Sequence, residues 1–92
     1  MKEELLKLNE EIDDMMDEYI NAKMYYETKK AELLLGTDFG AVLGKAKPTV
    51  AEKEAYLSLE LKDDKANYKY IKATVDSLKR KLEILLMFVG DD

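Results

Sequence analysis

Ninety-two residues carrying 20 Asp and Glu against 15 Lys and Arg, a formal charge of −5, bound one small domain that buries a modest share of its surface. The chain has neither Cys nor His, which excludes disulfide staples, thiolate metal sites, and histidine as a metal ligand or as a general base at neutral pH. The longest unbroken apolar run, Ile84 to Val89, is far short of the roughly 20 residues that span a bilayer. No basic region leads into an apolar run of the signal-peptide kind, so the expected location is the cytoplasm, away from membranes.

From the start, Leu5, Leu8, Ile12, Met15, Tyr19, Ala22, Tyr26, Lys29 and Leu33 recur at steps of three and four. That spacing keeps side chains on one narrow stripe of a helix, whereas a strand needs steps of two. It predicts a helix over 2–35. Between the stripe positions lie Glu10, Glu11, Asp13, Asp14, Asp17 and Glu18, which hold the outer face in water. They do not read as a metal site. Helical carboxylate sites add a Glu-x-x-His pair, and calcium loops need a glycine for their sharp turn; neither is present. Gly36 should close the helix in the left-handed conformation.

The connector over 36–48, G-T-D-F-G-A-V-L-G-K-A-K-P, holds all but one of the four glycines and the only proline, so neither flanking helix can run through it. Thr37 or Asp38 is suited to cap a single short turn there. Phe39, Val42 and Leu43 give the connector an apolar underside. Gly40, Gly44 and Lys45 miss the spacing of a phosphate-binding glycine loop, and no strand precedes them.

Thr49, Val50, Ala51 and Glu52 match the S/T-x-x-E capping box, with Pro48 just before it. A second helix is therefore expected over 50–89, about 60 Å long at 1.5 Å per residue. Its own stripe is Leu57, Leu61, Asp64, Tyr68, Ile71, Val75, Leu78, Leu82, Leu85 and Val89. Two stripes joined by a connector predict an all-α fold, an antiparallel two-helix hairpin of coiled-coil type in a single domain over 1–92. One register pairs Leu8 with Leu85, Ile12 with Leu82, Met15 with Leu78, Tyr19 with Val75, Ala22 with Ile71 and Tyr26 with Tyr68. The next layer then pairs Lys29 with Asp64, the only two charges in either stripe. An ion pair in a seam adds little net stability but penalises slipped registers.

The charge is unevenly placed. From Met1 to Leu35 there are ten acidic and five basic residues, and from Leu61 to Lys81 three acidic and seven basic, which favours laying the two helices side by side. A lone hairpin leaves many apolar residues without partners, and one seam does not offset the conformational entropy of the whole chain. The apolar end formed by Leu5, Leu6, Ile84, Leu86, Met87 and Phe88 is the expected self-association surface. A homodimer, most simply a four-helix bundle of two hairpins, is the first reading, and a host protein as partner the second. Lys62, Lys65, Lys69, Lys72, Lys79 and Arg80, with Lys81, Tyr68 and Tyr70 among them, form a basic tract that suits nucleic acid. Tyr68 belongs to the seam, however, and Asp63, Asp64 and Asp76 dilute the tract, so nucleic acid ranks behind protein. The acidic first helix has an opposite reading, as a mimic of nucleic-acid phosphate on another protein. The remaining carboxylates, lysines, tyrosines and hydroxyls form no catalytic constellation. The expected function is non-enzymatic, without cofactor or metal.

The segment L-L-L-G-T-D-F-G-A-V-L-G-K-A-K-P-T-V-A-E-K-E-A-Y, Leu33 to Tyr56, resembles the central segment of small orphan proteins encoded by phages and prophages of low-GC Gram-positive bacteria. It covers about a quarter of the chain. The resemblance implies an intracellular accessory protein that acts in an infected or lysogenic host, near phage replication, recombination or host-defence evasion. With the self-association surface, the expected function is to bind or inhibit a host protein, and the alternative is a nucleic-acid-associated factor in phage replication or recombination. The resemblance assigns no catalytic or binding residue.

Overall fold

The structure, a computed structural model, describes residues 1–90, and these form four helices without a strand. They are α1 (Lys2–Gly36), α2 (Phe39–Leu43), α3 (Val50–Glu60) and α4 (Lys62–Gly90). α1 packs chiefly along α4. Lys29 Nζ lies 2.8 Å from the Asp64 carboxylate, the Tyr26 and Tyr68 rings are 5.0 Å apart, and Leu8 lines one concavity with Leu85. Partners descend along α4 as numbers rise along α1, so the two helices run in opposite directions. The result is a rod of 69 × 18 × 14 Å. Its radius of gyration of 20.0 Å far exceeds the about 12 Å of a globular chain this long.

Burial follows the two stripes. Leu8, Ile12, Leu57, Leu61 and Val75 are buried, while Met15, Tyr19, Ala22, Tyr26, Ile71, Leu78, Leu82 and Leu85 are half-buried, as a two-helix seam with water on both sides dictates. Val89, the last stripe position, is exposed. The densest packing lies at the connector end. There Phe39, Leu57 and Leu61 form a buried cluster, with Tyr26, Leu33, Leu43 and Tyr56 against it. Phe39 meets Tyr56 edge to face at 5.9 Å, a favoured aromatic geometry. Of the connector's apolar trio, Phe39 is buried, Leu43 half-buried and Val42 exposed.

Two local features differ from the sequence expectation. The expected helix over 50–89 is interrupted at Leu61, whose ψ is 8° against about −42° in a regular helix. Leu61 is also the most completely buried side chain. The turn there lets Leu57 and Leu61 both reach Phe39, and the ladder resumes at once, with Lys65 N–H donating to the Leu61 carbonyl at 2.9 Å. The left-handed glycine is Gly44, not Gly36. Gly36 is the last residue of α1, followed by extended Thr37, whose N–H donates to the Leu33 carbonyl. Gly44, at φ 67°, closes α2, whose tight turn leaves that conformation as the exit.

Candidate functional site

Capping chemistry fixes the connector that aligns the two long helices. Asp38 accepts from Ala41 N–H at 3.1 Å to start α2. Thr49 Oγ1 accepts from Glu52 N–H at 3.2 Å, and Glu52 accepts from Thr49 N–H at 3.3 Å, a reciprocal capping box that starts α3. Lys45 Nζ, 2.7 Å from Glu52, ties the loop to that cap. The Lys45 ammonium first, and the Thr49 hydrogen bonds second, hold the Glu52 carboxyl below the usual carboxylate range. Along the seam, the hydrogen bond to Asp64 raises Lys29 above the ordinary lysine range, against the opposing effect of partial desolvation.

Three surfaces are left. The first is the apolar end, where α1 begins and α4 finishes. Leu6 is 57% exposed, Met87 71% and Phe88 62%, with Ile84 and Leu86 also exposed; Leu5 is half-buried. The second and third are the broad sides of the rod, which differ in charge. On one side Glu4, Lys7, Leu8 and Glu11 of α1 line a concavity of about 330 Å³ with Lys81 and Leu85 of α4. Glu11, Asp14 and Met15 line the next with Thr74 and Leu78. Glu18, seven residues after Glu11, continues this row, because seven residues make two turns. On the opposite side Tyr26 and Lys30 of α1 line a concavity with Glu54, Leu57, Ser58, Leu61 and Lys65. Lys69, Lys72 and Lys79 follow Lys65 at steps of four, three and seven, and Lys23 precedes Lys30 by seven, so these side chains share one face.

The structure thus adds Lys23 and Lys30 of α1 to the basic tract of α4. Their seven-residue spacing was visible in the sequence, but the side of the seam they share with Lys65 follows only from the packing of the two helices. Lys62, seven residues before Lys69, shares that face, whereas Arg80 lies farther round α4, toward its outer edge. Of the tract, Lys72 is the member with a salt bridge among the described residues, to Asp76 at 3.6 Å. Tyr70, four residues before Thr74, falls toward the other side and is 72% exposed. The basic face therefore offers cations without an exposed aromatic beside them. Among the described residues no group of three acidic side chains is placed to hold a metal, and no helix is long and apolar enough to cross a membrane.

Compared with protein-family models, with curated proteins and with solved structures, the chain matches none.

Proposed function

We propose that this chain is a non-enzymatic protein-interaction module of the phage-accessory kind, one that pairs with a second copy of itself and binds or inhibits a host protein. The observation that carries the pairing is the exposed apolar end. Leu6, Ile84, Leu86, Met87 and Phe88 each keep half or more of their surface in water, and together with Leu5 they form one patch on a highly charged rod. Contiguous apolar surface of this kind marks an interaction site. Two hairpins overlapping at that end bring four helices together over their terminal turns, a four-helix bundle of that stretch that covers both patches. The broad faces and the connector are then left for a host target.

Light scattering at micromolar concentration tests the pairing. A mass of two copies is expected for the natural chain, and of one copy for M87Q/F88Q. A monodisperse single copy that those substitutions leave unchanged refutes it. Lys30, brought beside Lys65 by the packing of α1 on α4, favours a second reading as a nucleic-acid-associated accessory factor. Retention on immobilised DNA that weakens steeply with salt supports that reading. Recovery of one bacterial protein despite nuclease supports the first.

A further inference from the structure

The two broad faces are complementary to each other. The acidic face carries Glu11, Asp14 and Glu18 along α1, with Tyr70, Thr74 and Lys81 along α4. The basic face carries Lys65, Lys69 and Lys72 along α4, with Met16, Ile20 and Glu27 along α1. The net charge of −5 conceals this division. The rod is 14 Å through at its thinnest, more than the Debye length of about 8 Å at physiological salt, so each face presents its own sign to whatever approaches it.

We propose that the acidic face of one copy docks on the basic face of the next, so that hairpins stack face to back. A second copy turned half a revolution about the normal to the faces lays its α1 over the first copy's α4, the two helices pointing the same way. A single register then sets Glu11 against Lys65, Asp14 against Lys69 and Glu18 against Lys72, because both rows advance by steps of three and four. The same register lays Tyr70 and Thr74 over Met16 and Ile20, which covers apolar side chains that the hairpin leaves half-buried or exposed. It also sets Lys81 of the acidic face against Glu27 of the basic face, so one exception on each face meets the other. The faces run along a rod 69 Å long, a length on the scale that a standard interface of about 800 Å² per partner needs. Individual exposed ion pairs contribute little, so the stack is weak per contact and sensitive to salt. The contact is heterologous and does not close on itself, hence growth is open-ended. Its rows of charge lie along the middle of the rod, away from the apolar end, and it sets a host target for either face in competition with the next copy.

Sedimentation velocity on M87Q/F88Q, in which the end contact is removed, tests the stack. At low salt the average mass is expected to rise with concentration past two copies, and to return to one copy at high salt. E11K/D14K/E18K and K65E/K69E/K72E should each lose the rise while keeping the helical circular dichroism, and an equal mixture of the two should regain association. The chain bearing all six changes has its faces exchanged and should stack again, which separates charge complementarity from damage to the fold. Failure of the natural faces to raise the mass, a plateau at two copies, or indifference to the reversals overturns the proposal. So does capture of duplex DNA by the basic face of chains that stay single at every concentration.

Discussion

Lys29 and Asp64 show what a charge inside a two-helix seam does. Their side chains are 39% and 25% exposed, so the pair is screened and its net contribution is small. Its effect on register is larger, since a slip by one layer sets either charge against an apolar neighbour. Lys29→Met or Asp64→Leu alone should lower the urea midpoint, and the double substitution should recover most of the loss, because the single changes strand a charge. Additive losses in the cycle would rule out coupling. The two perturbed groups also bracket a pH window. Glu52, held below the usual carboxylate range, contributes stability that is present above its unfolded value and lost as pH falls through the depressed folded value. Lys29, raised above the ordinary lysine range, contributes stability that is complete below its unfolded value and lost as pH rises through the raised one. Urea midpoints followed across pH should therefore be flat between those ranges, with Glu52→Gln removing part of the acid limb and Lys29→Met part of the alkaline limb.

At the scale of elements, periodic features were legible and tertiary demands were not. The three-and-four spacing, the Thr49–Glu52 cap and the glycine-rich connector are local patterns, so the long helices and the pairing of Lys29 with Asp64 could be read from the chain. The turn at Leu61 has no local signal. Neither Gly nor Pro is near it, and leucine is a good helix former; the interruption serves a cluster whose distant member, Phe39, lies 22 residues earlier in the sequence. Gly36 against Gly44 was likewise undecidable locally, because both follow apolar helical turns. The side of the rod shared by Lys30 and Lys65 required knowing which flank of each stripe faces which. The cluster should dominate stability. Phe39→Ala is expected to cost about 3–5 kcal/mol and Leu61→Ala about 2–5 kcal/mol, set against a total of about 5–15 kcal/mol for a small domain. Val42→Ala, on the exposed side of α2, should stay within about 0.5 kcal/mol. Equilibrium denaturation of the three variants checks the ranking, and a Val42 effect as large as that of Phe39 would contradict the packing.

The molecule as a whole is a rod with its densest packing at one end. Local opening is easiest where few apolar contacts hold the backbone. Amide hydrogen exchange should therefore show a gradient, slowest around Leu57, Leu61 and Tyr26, and fastest over the first turns of α1 and the last turns of α4. Joining two copies at the apolar end should flatten that gradient, since the loosest turns would then be covered. Uniform protection along a single copy would mean that the seam opens only as a unit.

The connector cluster also sets an order of assembly. Lys29 and Asp64 close a loop of 35 residues, whereas Leu8 and Leu85 at the far end close one about twice as long. Each doubling of a loop costs only about 0.6 kcal/mol of closure entropy, but once the inner layers are formed the outer ones close almost none. The seam can zip outward from Phe39, each layer preparing the next. Substitutions in the cluster should then slow folding, and those near Leu8 and Leu85 should mainly hasten unfolding.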